Sequence, residues 1–161
     1  MASETHTPKQ TQTQTQTPSI MQHFNQRPPV RRVHASPKLL TKMHTIMNKV
    51  GVKKSTDLII SAFVTNSHEI TSTKQLTRTV VEKIILYLQE HQRNNSSIDD
   101  VLCDTMRKVI MKRVGNIIWH RHHSTDIKYV HNWILREGLF NKPLHEHNFE
   151  ELFQLMMHVG E

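Results

Sequence analysis

The fold is decided by residues 97–123, which read SIDDVLCDTMRKVIMKRVGNIIWHRHH. Apolar side chains recur in this stretch every three or four residues, the spacing that places them on one face of an α-helix. They are Leu102, Met106, Val109, Ile110, Val114, Ile117 and Ile118. The opposite face carries Asp104, Arg107, Lys108, Lys112 and Arg113. The pattern predicts one long amphipathic helix against which the other helices pack.

Local signals within this stretch bear on where the helix begins and whether it is continuous. Ser97 precedes Asp100 by three residues, which indicates a capping arrangement at the start. Gly115 costs about 1 kcal/mol relative to alanine inside a helix. It therefore either allows a second helix to approach closely or marks a break. Trp119 and Trp133 lie beside or within apolar stripes, so we expect both in the core rather than stacked on bases.

Five further amphipathic segments flank the long helix in the sequence. Ser36 and Pro37 favour the start of a first helix that Gly51 ends. The segment 56–64 is a short helix, or a strand on account of its β-branched residues. A third helix is predicted from about Thr73 to Gln92, and two more follow over about 126–137 and 149–157. With no alternating strand pattern, the fold class is all-α, a compact bundle of five or six helices.

The first 36 residues have a different composition from the rest of the chain. Thr and Gln alternate over residues 11–17, and four prolines lie within residues 8–29. Such a segment has little to bury and is interrupted by helix breakers. We therefore predict a disordered, low-complexity basic tail over residues 1–36 and a helical domain over residues 37–161.

Positive charge is concentrated at the N-terminal end. Residues 1–54 contain nine Lys and Arg residues against Glu4 alone, whereas residues 138–161 contain one Lys against four Glu. This asymmetry indicates either a contact with a polyanion, RNA or DNA, or a solvated arm. The predicted nucleic-acid-binding residues are Arg27, Arg31, Arg32, Lys38, Lys42, Lys49, Lys53, Lys54, Arg107, Lys108, Lys112 and Arg113. No base-reading set follows the first helix, so we expect non-specific phosphate contacts.

The last helix is apolar over more than one face. Such a helix is either central to the core, which is the favoured interpretation, or docked on another chain. The candidate partner-binding residues are Phe149, Leu152, Phe153 and Met156. A protein partner or a homodimer would use this surface.

The histidines and the single cysteine offer weak signals for chemistry. His120 and His123 share one helix face, but a polar helix end is favoured over a metal site there. Cys103 is interpreted as a small buried hydrophobe, not a catalytic thiolate. Neither a glycine-rich phosphate loop nor a nucleophile elbow occurs in the sequence. We therefore expect no metal, no cofactor and no enzymatic activity.

Together these features predict a non-enzymatic regulatory or accessory module that binds protein partners and, through basic residues, nucleic acid. The alternative is an assembly subunit of a homo- or hetero-oligomeric complex with no nucleic-acid role. The sequence has no signal-peptide pattern and no apolar run near 18 residues. We therefore expect no membrane partner and an intracellular location, in the nucleus and/or the cytoplasm.

Overall fold

The structure is a computed structural model that describes residues 33–123 and 126–160. These ranges contain six α-helices and no β-strand, which confirms the predicted all-α fold. The helices are α1 (Pro37–Val50), α2 (Thr56–Phe63), α3 (Arg78–Arg93), α4 (Ile98–His122), α5 (Ile127–Arg136) and α6 (Phe149–His158). None of the helices in these ranges combines the length and the hydropathy needed to cross a bilayer. Residues 1–32 of the predicted tail lie outside the described part of the chain.

Helix α1 begins and ends at the residues that the sequence indicates. The Ser36 side chain accepts a hydrogen bond from the amide of Leu39 at 3.3 Å, and Pro37 occupies the first turn. Gly51 follows the helix with a φ of 83°, in the left-handed region that glycine adopts without steric cost. Both ends of α1 are therefore set by local chemistry.

The next two helices refine the predictions. Residues 56–63 form helix α2, so the strand alternative for this segment is wrong. Helix α3 begins at Arg78 and not near Thr73, because two capping signals follow each other. Ser72 caps a separate 3₁₀ turn over Thr73–Gln75, and the Thr77 hydroxyl accepts from the amide of Val80 at the start of α3.

Helix α4 is one continuous helix of 25 residues. Its capping box is present, because the Asp100 amide donates to Ser97 and the Ser97 amide donates to the Asp100 carboxylate. These bonds hold the pKa of Asp100 below its ordinary value. The helix runs through Gly115, so the predicted break there is wrong. A Cβ added at Gly115 would have nothing within 4 Å, so the predicted close approach of a second helix is wrong as well.

Two hydrophobic clusters share α4. The first contains side chains of α1, α2 and α3 together with Val101, at the beginning of α4. The second contains Met106 and later residues of α4 together with α5 and α6. Trp133 is buried in the second cluster as predicted, but Trp119 is 48% exposed and its predicted core position is wrong. Trp119 follows the buried Ile118, and one residue rotates a side chain about 100° around the helix axis.

Backbone pairing begins just before α1. The amide of Ala35 donates to the carbonyl of Leu76 at 2.9 Å, and the amide of Arg78 donates to Val33 at 3.0 Å. His34 and Thr77 form an antiparallel bridge between these two bonds. Residues 33–35 therefore attach the chain to the start of α3, upstream of the predicted domain start at residue 37.

Candidate functional site

Five lysines form an exposed basic surface on and after α1. Lys38, Lys42 and Lys49 are separated by four and seven residues, so helix geometry places them on one face. Lys53 and Lys54 follow in the 3₁₀ turn Lys53–Ser55, and all five side chains are exposed. We call these five residues the lysine face. From Lys38 to Lys49 it extends about 16 Å along the helix axis.

Acidic residues are scarce in the sequence around the lysine face. The sequence has no Asp or Glu between residues 5 and 56. Within the described part of the chain, none of the five lysines makes an ion pair. Clustered charge of one sign raises the local potential and attracts polyanions. The remaining predicted cations of this region, Arg27, Arg31 and Arg32, lie outside the described residues.

The basic residues of α4 are placed differently, because they donate to carbonyls of other elements. Lys112 Nζ donates to the carbonyl of Ser61 at 2.9 Å and to that of Val64. Arg113 Nη1 donates to the carbonyl of Met156 at 2.7 Å. Both cations are half-buried. They therefore lie where helices α2 and α6 end.

Carbonyls at a helix C-terminus have no partner within the helix and carry partial negative charge. Cations that donate to them satisfy these acceptors and complement the helix dipole. Burial lowers the pKa of Lys112, and the nearby charge of Arg113 lowers it further. Lys112 and Arg113 thus act as internal caps, and their charge is directed into the protein.

Arg107 and Lys108 complete this group of four. Arg107 donates from Nε to the carbonyl of Leu144 at 3.4 Å and from Nη2 to that of His147 at 3.3 Å. Lys108 pairs with Asp104, and its Nζ lies 4.2 Å from the centroid of the Tyr87 ring. All four predicted cations of α4 therefore have internal partners.

Tyr87, an aromatic residue of α3 whose type suits stacking on bases, lies in the core. Its hydroxyl lies 3.1 Å from the carbonyl of Val101 and 3.0 Å from the hydroxyl of Thr105. Burial raises the pKa of Tyr87 well above its ordinary value. A ring enclosed between α3 and α4 cannot stack on a nucleotide, so Tyr87 stabilises the helix pair instead.

The predicted partner-binding residues of α6 divide between core and surface. Leu152 is 0% exposed and Met156 is half-buried against the second cluster. Leu152 is thus a core residue, and its predicted contact with a partner is corrected. Phe149 and Phe153 are exposed, and Met157, four residues further on, continues the same row. We call Phe149, Phe153 and Met157 the α6 row.

The histidine cluster at the end of α4 and Cys103 were the sequence's candidates for a metal site and a reactive thiol. His120, His122 and His123 are exposed at the end of α4, where His122 stacks on Tyr129. Among the described residues, no three side chains of His, Cys, Asp or Glu lie together as metal ligands would. Cys103 is half-buried, and burial raises the pKa of its thiol.

A cavity near α5 was missed by sequence reasoning. It lies between α4, α5 and the loop that leads to α6, and Arg107 is among its lining residues. Residues more than 30 positions apart in sequence meet there, so no local spacing could reveal it.

Comparisons with known proteins identify no relative of this chain. No protein-family model, no curated protein and no solved structure matches this chain.

The internal role of Lys112 predicts a loss of stability on substitution. Lys112→Met would leave the carbonyls of Ser61 and Val64 without their donor, and an unsatisfied buried acceptor costs about 1–3 kcal/mol. The free energy of unfolding in urea should fall by that amount. Lys49→Met is the matched control, because exposed Lys49 has no such acceptor and should change stability by less than about 0.5 kcal/mol. Equal stability of the two variants would contradict the internal role.

Proposed function

We propose that this chain is a non-enzymatic accessory module that binds nucleic acid non-specifically and a protein partner through separate surfaces. The observation that carries the proposal is the lysine face, five exposed lysines with no ion pair among the described residues. Phosphate groups of RNA or DNA are its proposed ligands. The nucleus and/or the cytoplasm is the proposed location, since both contain such ligands.

The chemistry of the lysine face favours phosphate over base contacts. A lysine ammonium is a compact point charge on a flexible stem, and it lacks the planar fork with which arginine reads guanine. Lysine contacts with phosphates release counterions and carry no sequence information. Arg27, Arg31 and Arg32, which precede α1 in the sequence, are further proposed phosphate contacts.

The cations of α4 are left out of the proposed surface. Arg107, Lys112 and Arg113 already donate to carbonyls of the protein. A phosphate that recruited Lys112 or Arg113 would remove the cap from α2 or α6. A phosphate that recruited Arg107 would break its bonds to the loop that precedes α6. The proposed nucleic-acid surface is therefore confined to residues 27–54.

The α6 row supports the protein-binding part of the proposal. Phe149, Phe153 and Met157 recur every fourth residue on the exposed side of α6. An apolar row of this spacing is the pattern by which an amphipathic helix enters a groove on a partner. The exposed Glu150 beside it favours a partner with basic residues at the rim of that groove.

Neutralising the lysine face should weaken binding of nucleic acid and reduce its salt dependence. The variant Lys38→Gln/Lys42→Gln/Lys49→Gln removes three phosphate contacts from the full chain. With a single-stranded RNA of mixed sequence, we expect affinity to fall about tenfold or more. The slope of log K against log salt should become shallower by about 2, since each contact contributes about 0.7. Fluorescence anisotropy across a salt series measures both quantities.

The control for that experiment removes the same charge elsewhere. Lys74→Gln/Lys83→Gln/Lys128→Gln neutralises three exposed lysines that lie outside the lysine face. This variant should bind RNA within about twofold of the unmodified chain, because net charge alone is a weaker determinant than clustering. If both triple variants lose affinity equally, the lysine face is not the binding surface.

The second candidate function is an assembly subunit with no nucleic-acid role, which the exposed α6 row favours. Under this alternative, Phe149→Asp/Phe153→Asp should convert an oligomer into a folded monomer, as measured by light scattering coupled to size exclusion. Leu86→Asp is the matched control, because Leu86 is exposed on α3 and should leave the oligomer intact. A chain that is monomeric before substitution, at the highest concentration that light scattering can measure, would exclude self-assembly.

A further inference from the structure

A cavity of about 410 Å³ lies between α4, α5 and the loop that precedes α6. This volume falls within the range of small-molecule sites, about 300–1,000 Å³. Its apolar walls include Met111 of α4, Ile134 and Leu135 of α5, and Leu144 of the loop. Ile134 is fully enclosed, whereas Leu135 lies at the exposed rim. The cavity is therefore a largely apolar recess that is partly open to solvent.

One half-buried cation lines this recess. Arg107 donates one N–H to the carbonyl of Leu144 and one to that of His147. A guanidinium has five N–H donors, so three remain after these two bonds. Within the described residues, no carboxylate lies within ion-pair distance of Arg107. Asp100 is near enough for its charge to interact with that of Arg107, but it does not line the recess. The positive charge of Arg107 therefore has no directly paired counter-ion beside the apolar walls.

The other polar groups of the recess do not supply that counter-ion. His131 and His145 lie at its rim, and neither is acidic. His145 itself faces Glu146, with 3.6 Å between Nε2 and Oε1. No Asp or Glu lines the recess. The charge of Arg107 therefore sets the preference of the recess for an anion.

We propose that this recess binds a small monocarboxylate with a short, unbranched apolar chain. The carboxylate accepts two parallel N–H bonds from Arg107, the strongest geometry available to this pair. The chain lies against Met111, Ile134 and Leu144 and loses its apolar surface to solvent. A single guanidinium balances one negative charge, which favours a carboxylate over a phosphate dianion. This proposal is independent of the nucleic-acid proposal, because the lysine face takes no part in it.

Octanoate is the probe, titrated into the full chain by isothermal calorimetry. We expect saturable binding with one site and a Kd of about 10–500 μM, the range of modest small-ligand sites. Octan-1-ol, which has the same chain without the charge, should bind about tenfold more weakly or not at all. These two ligands separate a charge-directed site from a merely apolar recess.

Paired substitutions on α5 and beyond locate the site. Leu135→Asp places a carboxylate at the rim of the recess and should weaken octanoate binding about tenfold. Leu139→Asp is the matched control, because Leu139 is 49% exposed, Leu135 is 39% exposed, and Leu139 does not line the recess. Both variants should unfold at temperatures within a few degrees of the unmodified chain, since both positions are at the surface.

Three results would overturn the proposal. The first is no saturable heat with octanoate up to about 5 mM, a concentration at which even weak sites fill. The second is octan-1-ol binding as tightly as octanoate. The third is an equal loss of affinity in the Leu135→Asp and Leu139→Asp variants, which would place octanoate elsewhere.

Discussion

The structure depends on hydrogen bonds from the cations of α4 to carbonyls of the elements around it. Lys112 donates to the end of α2, Arg113 donates to the end of α6, and Arg107 donates to the loop that precedes α6. Helix α4 also contributes apolar residues to both hydrophobic clusters, so it is an element that the two clusters share. These bonds fix helices that are distant in sequence against one continuous spine.

This arrangement determines which positive charges are free. Four basic residues of α4 have partners within the protein, whereas the five lysines of α1 and the turn after it are exposed and make no ion pair among the described residues. The same sequence property, a run of Lys and Arg, therefore has two physical outcomes. On α4 these basic residues stabilise helix ends. On α1 they are exposed and have no ion-pair partner among the described residues. The two proposed roles follow from this difference: the cations of α4 stabilise the fold, and the lysine face binds phosphates.

The sequence predicted those features that local spacing determines. The caps at Ser36, Gly51 and Ser97 involve atoms at most a few residues apart, and all three were predicted correctly. The acceptors of Lys112 and Arg113 lie 43–51 residues away, so no helical periodicity could place them. For the same reason the recess beside Arg107 was missed, Trp119 was expected in the core, and Leu152 was named among the residues that a partner would contact. Residue type gave the correct helices, whereas tertiary packing decided which charges and apolar groups stay exposed.

The central claim is that lysines of α1 and lysines of α4 have different roles. Acetylation of the full chain with an amine-reactive reagent, with and without bound RNA, tests it directly when each lysine is quantified by mass spectrometry. RNA should slow the labelling of Lys38, Lys42 and Lys49 and leave the labelling of Lys108 and Lys112 unchanged. Protection of Lys108 and Lys112, with the lysines of α1 reacting as fast as in the free chain, would contradict the account.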